Sequence, residues 1–158
     1  MIENYLQVLE ESLLKKKEVL LAIEEMNREQ EQILKDENPS MEAFDESIDK
    51  KGLLIEELSR LDDGFETLYE HIKEQLLHNK DEYKGQIARL QKLIAEVTDK
   101  SVTIQAQEAR NKKSAEKYFA KARRELKSGR VNSKAALDYY LNMNKAQIAN
   151  PQFIDKKK

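Results

Sequence analysis

The sequence predicts an all-α protein: an elongated antiparallel bundle of three long helices, followed by a short C-terminal helix or tail. Apolar residues recur in alternating steps of four and three, as at the a and d positions of a heptad repeat. Charged residues make up 37% of the chain, and it contains only 4 Gly and 2 Pro, so it consists almost wholly of helix formers. No cluster of catalytic residue types interrupts the repeat. This pattern indicates a scaffold rather than an enzyme.

The first helix is expected over about residues 2–36. Its seam positions are Ile2, Leu6, Leu9, Leu13, Lys16, Leu20, Ile23, Asn27, Gln30 and Leu34. The polar members of this seam should set the register of the helices at some cost in stability. Asn38 and Pro39 then predict the N-cap and first residue of the next helix, and therefore a tight hairpin.

The second helix is expected over about residues 39–61. A second series of seam positions begins in this helix and continues past its expected end: Phe44, Ile48, Lys51, Ile55, Leu58, Asp62, Phe65, Tyr69, Ile72 and Leu76. Asp62, Asp63 and Gly64 indicate a break, and Asp63 with Glu66 has the spacing of an N-terminal capping box. The alternative is one helix through this point, because the seam keeps its phase there.

The third helix is expected over about residues 64–127, where it would span roughly 95 Å at the α-helical rise. Two consecutive steps of four near residues 78–80 predict a stutter that unwinds the helix locally without breaking it. Its inward residues would be Tyr83, Ile87, Leu90, Ile94, Val97, Ser101 and Ile104. Beyond them Glu108, Asn111, Ala115, Tyr118 and Ala122 are smaller or more polar, which indicates looser packing. We expect this helix to project beyond the bundle; the alternative is a bend near residues 98–101 and a fourth helix.

The segment 128–158 differs from the rest of the chain. Ser128, Gly129 and Arg130 end the periodicity. A solvated linker would not carry the Tyr, Leu, Met and Phe residues that follow, so we expect a short helix over about 133–145 to dock on the bundle. The alternative is that this segment recognises a protein partner. Truncation after Lys127 would then weaken binding, or strengthen it if the tail instead covers the site.

Charge and composition limit the function classes. The net charge of −2 excludes strong global attraction to nucleic acid or anionic lipid. The basic residues of the region 110–127 are expected to form a solvated helix face with ion pairs four residues apart. The chain has no Cys, no basic region at its N-terminus and no apolar run longer than residues 19–23. These features predict a cytoplasmic protein without membrane insertion.

The sequence predicts no catalytic, cofactor or metal site. His71 and His78 would lie roughly 10 Å apart along a helix, too far to share a metal ion. Glu56 and Glu57 are adjacent and diverge on a helix, so they do not form an acid/base pair with the nearby aspartates.

Several stretches resemble the FlgN-type flagellar export chaperones, in the version found in clostridia-type Gram-positive bacteria. They are KGLLIEELSRLD at 51–62 on the second helix, DGFE at 63–66, and the ending KAALDYYLNMNKAQIANPQFIDKKK. The resemblance covers essentially the whole chain.

The resemblance implies a cytoplasmic chaperone of flagellar type III export. Such a protein binds the C-terminal helical region of hook-associated proteins, or the filament cap protein in the related FliT-type group, and prevents premature assembly. The export apparatus is a further candidate partner, and the sequence does not decide whether the protein forms a homodimer. Partner contacts are expected at Tyr118, Phe119, Tyr139, Tyr140, Leu141, Met143 and Phe153. Two alternatives are a structural coiled-coil spacer and, more distantly, a nucleic-acid-binding helical protein.

Overall fold

The structure, a computed structural model, describes residues 2–125 as three long helices joined by two short connections. These are α1 (Ile2–Lys35), α2 (Met41–His78) and α3 (Lys84–Glu125). Their lengths of 34, 38 and 42 residues correspond to about 51, 57 and 63 Å. The predicted all-α bundle is confirmed. The predicted short helix over 133–145 and the rest of segment 128–158 lie outside the described residues.

The predicted seams face the core in all three helices. On α1 every predicted position from Leu6 to Gln30 is buried, and on α2 and α3 the same phase is kept. The seam residues that are only half-buried are Ile2, Leu34, Ile55, Asp62, Leu76, Tyr83, Ile87, Tyr118 and Ala122. The heptad pattern therefore identified the interior correctly.

The core of the described helices consists of three apolar clusters stacked along the bundle. The lower cluster contains Leu6, Leu9, Leu13, Phe65, Tyr69, Ile72, Leu90 and Ile94. The middle cluster contains Leu20, Ile23, Leu58, Val97 and Ile104. The upper cluster contains Phe44, Ile48, Ala115 and Phe119. Helix α1 packs along both α2 and α3, whereas the backbones of α2 and α3 stay farther from each other. The three helices thus leave a groove between α2 and α3.

The first connection places the start of α2 two residues later than the sequence predicts, at Met41 instead of Pro39. Ser40 is the N-cap: its φ is −74° and ψ 113°, and its Oγ accepts a hydrogen bond from Ala43 N–H at 3.1 Å. The prediction that Asn38 caps a helix beginning at Pro39 is wrong. Asn38 instead donates its backbone N–H to Asp36 Oδ1 at 3.4 Å, within the turn. Serine caps helices as well as asparagine does, and Ser40 lies three residues before Ala43, the spacing at which a capping oxygen accepts the backbone N–H.

Helix α2 runs without interruption through Asp62, Asp63 and Gly64. The predicted helix boundaries at 61 and 64, and the capping role of Asp63, are therefore wrong. Leu58 and Phe65 are both buried only if the helix keeps its phase across this stretch. Burying two large side chains is worth more than the roughly 1 kcal/mol that an interior glycine costs.

The chain reverses at residues 79–83, where the sequence predicted only a stutter. Asn79 ends α2 with φ −123° and ψ 33°, and its Nδ2 donates to Gln75 O at 2.8 Å. Its backbone N–H donates to Leu76 O at 3.2 Å, and Tyr83 N–H donates to Asn79 O at 3.3 Å. These bonds satisfy backbone groups that the helix end would leave unpaired. Helix α3 therefore begins at Lys84, not at 64.

Within residues 2–125, the later start of α3 removes the predicted projection. Helix α3 is continuous through residues 98–101, as favoured, but at 42 residues it is close in length to its neighbours. Ala115 and Phe119 are buried in the upper cluster, so the packing does not loosen there. The expectation of an unpaired extension was wrong because the reversal at 79–83 had been missed.

We expect Gly64→Ala to raise the free energy of unfolding by about 0.5–1 kcal/mol, because alanine is the better helix former in a helix interior. A Cβ at Gly64 would meet nothing within 4 Å. Urea denaturation measures the change. The control is Gly85→Ala in the first turn of α3, where the gain should be smaller. A loss of stability at Gly64 would contradict a continuous α2.

Candidate functional site: a groove and a buried polar layer

A groove lies between the lower halves of α2 and α3. Its volume is about 420 Å³, and Leu9 of α1 lies at its base. The α2 side consists of Phe65, Tyr69, Lys73, Leu76 and Leu77. The connection and α3 contribute Lys80, Asp81, Lys84, Ile87, Ala88, Leu90 and Gln91. Residues of all three helices and of the second connection therefore surround one apolar depression.

The base of the groove is part of the lower cluster. Leu9, Phe65 and Leu90 are buried, and the Phe65 and Tyr69 rings stack with centroids 6.5 Å apart at 12°. Toward solvent, Leu77 is 44% exposed. Because its base is held by core packing, the groove needs no large rearrangement to receive an apolar side chain.

The rim of the groove is mainly basic. Lys73, Lys80 and Lys84 line it, with Asp81 as the acidic residue among them. Lys73 Nζ also pairs with Glu70 Oε1 at 2.7 Å on the surface of α2. We call Lys73, Lys80 and Lys84 the rim lysines.

A second feature is a buried polar layer between the middle and upper clusters. Lys51 Nζ donates to Asn27 Oδ1 at 2.9 Å, to Gln30 Oε1 at 2.7 Å and to Glu108 Oε1 at 2.8 Å. One ammonium group on α2 thus binds side chains of α1 and α3. Its charge is buried but paired and hydrogen-bonded, which is the condition under which a buried charge is tolerated.

Further hydrogen bonds extend this layer across all three helices. Asn27 Nδ2 donates to Gln107 Oε1 at 3.1 Å, and Asn111 Nδ2 donates to the Asn27 carbonyl at 2.9 Å. Gln30 Nε2 donates to Ser47 Oγ at 3.0 Å. Shifting any helix by one turn would break these pairs and leave buried polar groups unsatisfied. The layer therefore fixes the register, as expected for polar seam residues.

A simpler polar pair lies between the lower and middle clusters. Lys16 Nζ is 2.6 Å from Asp62 Oδ1, and the Asp62 side chain keeps 29% exposure. This pair links α1 to α2 at the point where the sequence had suggested a break. Asp62 therefore acts inside the bundle as a partner for a seam lysine.

Burial shifts the ionisation of both charged members of the polar layer. The pKa of Glu108 is raised above its ordinary 4.5 by desolvation, which the nearby Lys51 charge opposes only in part. The pKa of Lys51 is lowered from 10.5 by desolvation, again against the attraction of Glu108. Glu108 Oε2 has no hydrogen-bond partner among the described residues. Both shifts show that loss of hydration outweighs the attraction within the pair.

This leads to a prediction of pH dependence. A carboxyl group with a raised folded-state pKa takes up a proton in the folded protein before it does so in the unfolded chain. Ionised Glu108 lowers the free energy of unfolding, because its charge is less well solvated in the folded protein than in the unfolded chain. This loss disappears as the pH falls from 7 toward 4.5 and Glu108 becomes protonated in the folded protein. The stability of the natural protein relative to Glu108→Gln should therefore increase over that range. Urea unfolding of both proteins at several pH values measures this difference, and a difference that stays constant or falls would contradict it.

The structure describes two of the seven sequence-predicted partner residues, Tyr118 and Phe119, and places them at the opposite end of the bundle from the groove. Phe119 is 2% exposed and packs edge to face on Phe44, with ring centroids 5.8 Å apart. Tyr118 is half-buried beside it. Partner contact at these two residues stays a prediction. The other five candidates, Tyr139, Tyr140, Leu141, Met143 and Phe153, lie outside the described residues.

The histidines behave as surface residues. Both are exposed, and the His71 ring contacts the Tyr5 ring edge to face at 5.6 Å. Within residues 2–125, no group of three His, Asp or Glu side chains has the geometry to hold a metal ion. No helix in this range has the length and apolar character required to cross a membrane.

Sequence reasoning missed the groove. Its apolar residues had been assigned to a continuous third helix, so α2 and α3 were never placed beside each other at residues 65–91. The signal that could have found it was Leu77, an apolar residue outside the seam next to the phase change at 78–80. A turn there brings Leu77 beside the start of α3.

Comparisons of the chain with family models, with curated proteins and with solved structures found no match.

Proposed function

We propose that this protein is a helical-bundle chaperone that binds an amphipathic helix of a partner protein in the groove between α2 and α3. The observation that carries the proposal is the groove itself, an apolar depression of about 420 Å³ between two helices that both pack on a third. A helix placed there would take the fourth position of a four-helix arrangement. Helix-in-groove binding of this kind is a common mode of peptide recognition.

Two further features support a binding scaffold rather than a spacer. The polar layer fixes the relative positions of all three helices, which keeps the groove in one shape. Leu77 on the groove is 44% exposed, although a leucine at this position would be better buried. A partner helix would cover it and hide its own apolar face, which prevents that face from polymerising.

The specific role we propose is the one that the sequence resemblance implies. The partner would be a hook-associated flagellar protein or the filament cap protein, bound through its C-terminal helical region before export by the flagellar type III system. The resemblance of residues 51–62, of residues 63–66 and of the C-terminal 25 residues supports this identification.

The test is calorimetric titration of the purified full-length protein with the C-terminal helical segment of a hook-associated protein from the same organism. We expect saturable binding, which Leu77→Glu should weaken at least tenfold because it places a charge in the apolar groove. Leu53→Glu is the matched control, since Leu53 lies on the same helix, is 66% exposed and does not line the groove.

Absence of binding, or equal weakening by both variants, would refute the proposed site. Self-association of the protein through its seams, without binding of the segment, would support the spacer function instead. Circular dichroism of both variants checks that the helical content is unchanged.

A further inference from the structure

We infer that the partner helix carries acidic residues along the flanks of its apolar face, which pair with the rim lysines of the groove. This inference rests on the proposed function and adds the chemical class of the partner. It derives from the charges around the groove rather than from its apolar base.

The charge of the rim differs in sign from that of the whole chain. The groove is lined by three lysines and one aspartate, whereas the protein has a net charge of −2. Two of the lysines, Lys80 and Lys84, are exposed and make no ion pair within the described chain. Lys73 pairs with Glu70, but the two side chains keep 35% and 51% exposure, so solvent weakens this pair and it can exchange. An acidic helix would therefore meet complementary charge on the rim.

The arrangement of the lysines also fits a helix. Lys73 lies on α2, Lys80 in the connection and Lys84 at the start of α3, so positive charge surrounds the apolar base from the α2 side to the α3 side. A bound helix that buries its apolar face places the residues beside that face at the rim. Glutamate or aspartate at those positions would lie near an ammonium group on either wall.

The protein's own C-terminal segment is a less suitable occupant. Residues 126–158 carry two acidic residues, Asp138 and Asp155, and seven basic ones: Lys127, Arg130, Lys134, Lys145, Lys156, Lys157 and Lys158. Such a segment would bring like charge to the rim lysines. Charge complementarity therefore favours an acidic helix from another protein over this segment.

The test uses three synthetic amphipathic peptides with one apolar face and with glutamate, glutamine or lysine at the flanking positions. Fluorescence anisotropy with the full-length protein at low and at physiological salt measures their affinities. We expect the glutamate peptide to bind at least tenfold more tightly than the lysine peptide, with a preference that decreases as salt is raised.

Charge reversal at the rim should reverse this preference. The variant is Lys73→Glu/Lys80→Glu/Lys84→Glu, and a milder version replaces the same lysines with glutamine in case the first does not fold. The matched control reverses Lys15, Lys50 and Lys113, which are exposed, do not line the groove and make no ion pair within residues 2–125. It changes the net charge equally and should keep the original preference.

The outcomes separate the inference from the proposed function. Equal binding of all three peptides, or equal effects of the rim and control variants, would overturn the charge inference and leave the groove as a site for apolar helices.

If no peptide binds, the rim variant is titrated with the hook-associated segment. Unchanged affinity there would also overturn the inference, whereas failure of that segment to bind even the natural protein would refute the proposed function itself. Tighter binding of the glutamine and lysine peptides after removal of residues 126–158 would identify this segment as the occupant instead.

Discussion

Replacing Lys51 with methionine is expected to lower the free energy of unfolding by about 3–5 kcal/mol, the usual cost of removing one partner from a buried ion pair. Methionine has a similar length but donates no hydrogen bond. Asn27 Oδ1, Gln30 Oε1 and Glu108 Oε1 would each lose the ammonium donor that they bind in the folded protein. The Glu108 side chain is only 7% exposed, so water cannot replace that donor without opening the bundle. Urea denaturation at pH 7 measures the effect.

Lys16→Met is the matched control for this prediction. Lys16 is also a buried seam lysine that pairs with a carboxylate, but the Asp62 side chain is 29% exposed and can be hydrated. The loss should therefore be nearer to about 1 kcal/mol. Equal losses at the two positions would contradict the view that the interior of the polar layer is inaccessible to water. The double variant Lys51→Met/Glu108→Leu should recover part of the loss, because it removes the stranded charge together with its partner.

The buried faces of the helices could be predicted from the sequence because they depend on periodicity alone. An alternation of four and three residues places one stripe of side chains on one side of a helix, whatever the tertiary arrangement. Even the polar members Lys16, Asn27, Gln30 and Lys51 lie in the interior where the pattern placed them. The periodicity also keeps its phase through Gly64, and this favours the alternative of one continuous helix, which the structure shows.

The ends of the helices could not be predicted in the same way, because helix ends depend on small local energies. Asp63 and Gly64 have the composition of a break, but burial of Leu58 and Phe65 on one face outweighs it. Asn79 has a weaker signal, yet it ends α2 because its side chain and backbone satisfy the last carbonyl groups of the helix. A turn and a stutter leave similar phase changes in a sequence, and only packing distinguishes them.

The pairing of polar residues was also beyond sequence reasoning. The pattern showed that Lys51 is in the interior but not that Glu108, 57 positions later, lies opposite it. That pairing requires the antiparallel register of α2 and α3, which follows from the position of the reversal at 79–83. The groove was missed for the same reason. One wrongly placed turn therefore accounts for the incorrect helix lengths, the incorrect projection and the missing site.

Phe119 offers the second large expected effect. Phe119→Ala should destabilise the protein by about 3–5 kcal/mol, since it removes a ring that is 2% exposed and leaves a cavity beside Phe44 in the upper cluster. Tyr118→Ala is the matched control: Tyr118 is the neighbouring aromatic residue on the same helix, but it is half-buried. Its substitution should cost clearly less in urea denaturation.

Phe119→Ala and the groove variant Leu77→Glu together separate a structural role from a partner-binding role at this end of the bundle. If Phe119 acts only in the core, its variant should bind the hook-associated segment with natural affinity under conditions where it remains folded. Leu77→Glu, at the other end, should lose binding while staying folded. If Phe119→Ala instead abolished binding with little loss of stability, the ring would have to contact the partner, as the sequence resemblance suggested. The upper end of the bundle would then have to open on binding, and the groove would not be the principal site.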